Sequence, residues 1–232
     1  MQIDNCKLRI ANLLGPDAKA NLKFSICNLQ FFIMPRMSLV EALKVLHSLR
    51  EERDVVLATM GAAREWMKLG THPLDFIYAP SAMGEAPALG LGMALAQPGK
   101  RVIVLNGDGC LLMNLGCLVT ITAEAPQNLL LLTIDNSVYE VTGQQWTAAA
   151  TEARKQAAGV DFSQIARGCG FESIHAFERL EDWRQAARGV LAARGPVFVV
   201  LKVEPVPGGE VPRSPAPPPE RAIAFARSIQ AR

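Results

Sequence analysis

Two uninterrupted apolar runs dominate the middle of the chain, RVIVLN at 101–106 and NLLLLTID at 128–135. Neither alternates with polar residues, so each reads as a strand buried on both faces. PVFVVLKV at 196–203 is a third run of this kind, and DVVLAT at 54–59 and DFIYA at 75–79 are shorter ones. Between them the spacing becomes helical. ALKVLHSLREER follows Ser38-Leu39-Val40-Glu41, an S-x-x-E capping box, and AAREWMKL at 62–69 is the next helix. GEAPALGLGMALA at 84–96 is helical, with Gly84, Gly90 and Gly92 permitting close backbone approach. CLLMNLGCLVTITAEA at 110–125 reads as one helix, DFSQIARGC as another with Asp161 as N-cap, and LEDWRQAARGVLAAR as an amphipathic one. Buried strands joined by helices predict the α/β class, a three-layer α/β/α arrangement around a mainly parallel sheet.

The two ends differ from this middle. Residues 1–36 carry no sustained period and are expected to be an extension, disordered or the product of a start placed too far upstream, since Met34 and Met37 stand just before the first helix cap. An ordered arm packed on a partner is the alternative. The domain is expected over 37–204, followed by a Pro-rich arm, PVPGGEVPRSPAPPPE, and a closing helix, RAIAFARSIQAR, that together fill 205–232.

Composition narrows the function classes. The 232 residues are half apolar, enough for one domain with a sizeable core. The 24 basic and 22 acidic residues are balanced and unclustered, which argues against nucleic acid as a partner. Five scattered cysteines without a C-x-x-C pair argue against a disulfide framework or zinc site, and fit a reducing, cytoplasmic setting. FSICNLQFFIM at 24–34 is interrupted by Asn28 and Gln30 and reads as neither signal nor anchor, so no membrane is expected.

The candidate chemistry sits at two polar turns. Gly107-Asp108-Gly109 follows the strand ending at Asn106, and Asp135-Asn136 closes the next strand. Ligands of open parallel sheets bind beyond the carboxyl ends of strands. A carboxylate and a carboxamide oxygen there are hard donors suited to Mg²⁺. A helix opening at Cys110 behind Gly109 suits a diphosphate. Each turn alone is ordinary loop chemistry; together, across one strand–helix–strand unit, they point to a metal–diphosphate site.

These residues also resemble a known family. TMGAARE, SAMGEAPALGLGMAL, KRVIVLNGDGCLLMNLGCLVTI and DNSVYEVTGQQ, in that order, look like the diphosphate-binding half of thiamine diphosphate enzymes. The likeness covers roughly 40–203 and is strongest to sulfopyruvate decarboxylase β subunits and the matching half of phosphonopyruvate decarboxylases. It implies the thiamine diphosphate-binding fold. It implies Mg²⁺ on Asp108, Asn136 and the Val138 carbonyl, and the diphosphate on the turn Gly107-Asp108-Gly109 with the amides of Gly109 and Cys110, aided by Gly61. Met83-Gly84 would lie under the bend of the cofactor, with the Met83 amide and Ser81 carbonyl on its pyrimidine edge and Tyr139 beside the metal turn. Glu85 is a candidate proton donor. The implied reaction is decarboxylation of a small 2-oxo acid bearing a second anionic group, a carboxy-lyase activity in which the thiazolium accepts the electron pair released with CO₂.

No segment resembles the pyrimidine-binding domain with its activating glutamate. The resemblance therefore implies a hetero-oligomer with a separate pyrimidine-binding α-type subunit. A β subunit of a 2-oxoacid:ferredoxin oxidoreductase is the alternative, although the N-terminal cysteine pair of that class is absent; a non-catalytic cofactor-binding module is another. The sequence departs from the family pattern at Cys110 (usually serine), Ser81 and Glu140 (usually glycine) and in TGQQ for TGGQ. Among remaining candidates, His47 reads as lying on an exposed helix and His175 in a turn. His72 sits in a loop that is a candidate to approach the site, and Arg64 is a candidate for an anionic substrate or for a salt bridge. Cys110 and Cys117 read as buried thiols rather than a redox pair.

Overall fold

In the computed structural model, residues 36–78, 83–154, 158–206 and 216–230 are described. The expectations for residues 1–35, for Ser81 and for most of the Pro-rich arm lie outside them. From Arg36 onward the chain forms one compact unit.

Six parallel strands make the sheet: β1 (Val55–Thr59), β2 (Asp75–Tyr78), β3 (Val102–Gly107), β4 (Leu129–Asp135), β7 (Ser173–Phe177) and β8 (Val197–Lys202). Their spatial order is β2-β1-β3-β4-β8-β7. The chain leaves β1 for β2 on one side, then crosses back to place β3 on the other side of β1. That reversal opens a crevice at the carboxyl ends of β1 and β3, where open α/β sheets bind ligands. β1, β4 and most of β3 and β8 are buried along their length, which explains their lack of alternation.

One layer is formed by α1 (Leu39–Leu49), α2 (Met60–Met67) and α7 (Leu180–Ala192), whose Leu43, Leu46, Trp66 and Trp183 pack on Val56, Ile103, Leu105, Leu132 and Val199. The other is formed by α3 (Ala86–Ala96), α5 (Cys117–Glu124) and α6 (Phe162–Gly168), packed through Leu91, Leu118, Ile121 and Phe162 on Leu57, Val104, Leu131 and Phe198. The closing helix, α8 (Pro218–Gln230), sets Phe225 against Phe76 of β2 with ring centroids 4.9 Å apart. The predicted three-layer α/β/α arrangement is therefore the one observed. Ser38 caps α1 by accepting the Glu41 amide at 3.5 Å, while the Glu41 carboxylate turns to Lys44 instead of closing the box.

Four expectations are corrected. The helix expected over 110–125 is two: α4 (Asp108–Leu112) and α5, separated where the Asn114 side chain donates to the Gly84 carbonyl at 3.1 Å. An interior Asn and Gly weaken the helix, and this tertiary bond selects the break. α4 begins at Asp108 rather than Cys110 and has only five residues, so its dipole is short. His175 lies in β7, an edge strand whose half-buried SIHAF lacks the apolar run of its neighbours. Of the glycines in the third helix, Gly90 is the one forced by packing: a Cβ there would lie 2.3 Å from Val104 Cγ2, whereas one at Gly92 would meet nothing within 4 Å.

This contrast is testable by chemical denaturation. Gly90→Ala should cost about 1–3 kcal/mol by overpacking α3 on β3. Exposed Gly92→Ala should be neutral or stabilise by up to about 1 kcal/mol through helix propensity.

Candidate active site

A cleft opens at the crevice between β1 and β3. It is lined by Thr59, Met60 and Gly61 at the start of α2, by Met83, by the turn Gly107-Asp108-Gly109 with Cys110, and by Asn136, Val138, Tyr139 and Glu140. Every predicted site residue except Ser81, Gly84 and Glu85 lines it. Ser81 lies outside the described residues. Gly84 stands one residue away with φ +91°, its missing side chain facing Met113 and Asn114. Glu85 is exposed at the start of α3 and is not among the lining residues.

Asp108 is the first residue of α4 and is 2 % exposed. Its Oδ2 accepts the Thr147 hydroxyl at 3.1 Å. Burial lifts its carboxyl from an ordinary 3.8 to about 7, and repulsion from Asp135 adds to the rise. Among the described residues no lysine or arginine nitrogen pairs with it. A buried carboxylate without a cationic partner, beside a second carboxylate, is the environment that a bound cation relieves.

Asp135 accepts both the amide and the hydroxyl of Ser137 at 3.2 Å, and Arg36 donates to that hydroxyl at 2.9 Å. This holds Ser137 in the left-handed region, φ 64°, and turns the chain into the next strand. In that turn the Asn136 Oδ1 accepts the Val138 amide at 3.1 Å. Beyond it, β5 (Val138–Tyr139) and β6 (Gln145–Trp146) form an antiparallel hairpin. The hairpin lays the Tyr139 ring over Gly109, where a Cβ would come within 2.5 Å of Tyr139 Cε1. Gly109 is thus required by the close approach of an aromatic ring.

Sequence reasoning missed Thr147, and of the two readings open for Arg64 the structure shows the salt bridge. Thr147, fully buried, has no periodic signal and is recruited through the hairpin. Glu140 and Arg64 form a buried ion pair at 3.1 Å, with Arg64 also held by Glu65 at 2.7 Å. The signal for the hairpin was present in VYEVTGQQW, two short β-prone pairs around a five-residue loop with a glycine. His72 is at the opposite edge of the sheet, before β2, where its Nδ1 lies 2.8 Å from Arg50. Cys110 and Cys117 are buried free thiols, and burial pushes Cys117 up to about 11.

The donor set fits a hard divalent cation, since Asp108, Asn136 and the Val138 carbonyl supply oxygen only and line one cleft. Residues 54–201 match the family model of the thiamine pyrophosphate enzyme C-terminal TPP binding domain. The chain belongs to this family. It is 38% identical over 162 residues to phosphonopyruvate decarboxylase of Streptomyces viridochromogenes, covering 70% of this chain and 38% of that one. It is 37% identical over 167 residues to the sulfopyruvate decarboxylase β subunit of Methanothermobacter thermautotrophicus, covering 72% of this chain and 82% of that one. The chain thus spans about two fifths of the phosphonopyruvate decarboxylases it matches (38% and 43%) and most of the β subunit. Among solved structures, a 2-oxoglutarate:ferredoxin oxidoreductase from Magnetococcus marinus superposes with a TM-score of 0.60 at 16% identity over 72% of this chain and 60% of its own, a likeness of fold.

The Asp108 environment makes a pH prediction. Its pKa is higher folded than unfolded, so between pH 4 and 7 the folded chain binds more protons and loses stability as pH rises. Asp108→Asn keeps an acceptor for Thr147 and removes the charge. In chelator at pH 8 it should melt higher than the parent, by on the order of a few kcal/mol, with a flatter stability profile across pH 4–7. An equal or lower melting point would show that the charge is already compensated.

Proposed function

We propose that this chain is the diphosphate-side, β-type subunit of a thiamine diphosphate-dependent decarboxylase acting on a small 2-oxo acid with a second anionic group. The observation that carries this reading is Asp108: a buried, cation-seeking carboxylate at the switch crevice of a domain of this family. In this reading Asp108, Asn136 and the Val138 carbonyl hold Mg²⁺, and the amides of Gly109 and Cys110 receive the diphosphate. Met83, on the cleft wall, supports the cofactor's bend, with the Ser81 carbonyl on its pyrimidine edge. Thiamine diphosphate, when bound, supplies the electron sink that lets CO₂ leave a 2-oxo acid.

The chain's own contribution is to orient and to exclude water. Leu39, Ile134 and Met83 give the cleft apolar walls, Thr147 holds one oxygen of Asp108, and Tyr139 closes over Gly109. Glu85, outside the cleft lining, is a candidate proton donor only if a companion chain folds it inward.

A pyrimidine-binding α-type subunit is the proposed partner. Supporting this, relatives that the chain covers most fully are named sulfopyruvate decarboxylase subunit beta. Val141 at the cleft and Trp146 on the hairpin are large apolar groups, 67% and 49% exposed, where a companion would cover them. No described helix is long and apolar enough to cross a membrane, and the described cysteines are free thiols; a cytoplasmic setting suits both. The domain itself is assigned to 37–204, with the arm and α8 as its C-terminal attachment.

The test is reconstitution. The full chain with its α-type companion, thiamine diphosphate and Mg²⁺ should release CO₂ from sulfopyruvate or phosphonopyruvate, and either chain alone should not. Strong turnover by this chain alone would defeat the half-site assignment; no turnover of either acid by the complex would defeat the substrate class.

A further inference from the structure

Glu140 places a negative charge in a cleft proposed to receive a diphosphate. Its side chain is only 6% exposed, and a Cβ at Gly61 would lie 2.8 Å from its Oε2. What Gly61 faces is therefore this carboxylate, and its missing side chain makes room for it. Three groups hold Glu140. Arg64 Nη2 reaches Oε2 at 3.1 Å, while Oε1 accepts Asn136 Nδ2 at 2.7 Å and the Val206 amide at 3.0 Å. The carboxylate thus ties α2, the β4–β5 turn and the segment leaving β8 to one point.

The bond to Asn136 has a chemical consequence. A carboxamide has an oxygen end and an NH₂ end of nearly the same shape, and only the oxygen can ligate a cation. A carboxylate accepts and never donates, so it attracts the NH₂ end and repels the oxygen. With Glu140 in place, Nδ2 is committed to Oε1, and Oδ1 turns the other way, to the side of the Val138 amide at 3.1 Å. Arg64 fixes Glu140 and compensates its charge, and Glu65 fixes Arg64 in turn.

We infer that Glu140 is a positioning residue: held by Arg64, it locks the Asn136 carboxamide with its oxygen presented to Mg²⁺. The inference rests on the metal–diphosphate reading above, and deepens it at one residue.

The experiment measures the Mg²⁺ concentration that gives half-maximal binding of thiamine diphosphate, by calorimetry on the full chain with its companion subunit, independently of turnover. Glu140→Ala should raise that concentration about tenfold to hundredfold, the range expected for losing a hydrogen bond to a charged group. Adding Asn136→Asp to Glu140→Ala should recover most of the loss, because a carboxylate has an oxygen at both ends and needs no orienting. A purely structural role for Glu140 would not be rescued by a change at Asn136. If Glu140→Ala does not fold, Glu140→Gln carries the test. Asn136→Asp alone sets two carboxylates together and should bind Mg²⁺ poorly, while Asn136→Asp with Glu140→Gln should bind better. An unchanged Mg²⁺ requirement in Glu140→Ala, or no rescue in either pairing, overturns the inference. Absence of Mg²⁺-dependent binding in the parent complex would instead overturn the reading it rests on.

Discussion

One carboxylate held out of water governs this structure. Asp108 is 2 % exposed at the carboxyl edge of the sheet, and burying such a group without a cation is costly. The chain softens that cost without removing it: Thr147 donates one hydrogen bond, and no side-chain cation is brought in among the described residues. The remaining deficit is what makes the place a site. Gly109 leaves room for the Tyr139 ring that covers it, and the β4–β5 turn brings Asp135 and Asn136 alongside.

The two edges of the sheet show how deliberate that deficit is. At the amino edge, the carboxylates drawn inward among the described residues are answered. Asp54 is bound by Arg101, and Asp75 by Arg50 at 2.5 Å, with His72 joined to the same arginine. At the carboxyl edge Arg64 is present, yet it is spent on Glu65 and Glu140 and not on Asp108. Paired buried ions read as structure, and the Asp108 carboxylate, without a cation among the described residues, reads as function. The crossing from β2 back to β3 puts that one in the crevice, so topology and electrostatics select the same place.

The packing supports this from both sides. Trp66 and Trp183 are fully buried in one layer, and the close approach of α3 through Gly90 onto Val104 anchors the other. These contacts fix the strand ends, and with them the spacing between the start of α2 at Met60 and the start of α4 at Asp108. Precision at a site of this kind comes from elements that cannot move independently.

Much of this was legible in the sequence. The strands β1, β3, β4 and β8, most helices, the N-caps Ser38 and Asp161 and the polar strand ends at 107–109 and 135–136 follow from local pattern, because burial on both faces and backbone capping leave their mark in consecutive residues. The edge strand β7 and the break at Asn114 did not, because each is decided by a partner distant in the chain: Val197–Leu201 for the strand, Gly84 for the break. Residue types named Asp108 and Asn136 as metal-type donors. Only the tertiary structure decided that Thr147 and Tyr139 attend Asp108 and Gly109 and that Arg64 holds Glu140 against Asn136, since a hydrogen bond across 76 positions leaves no periodicity to read.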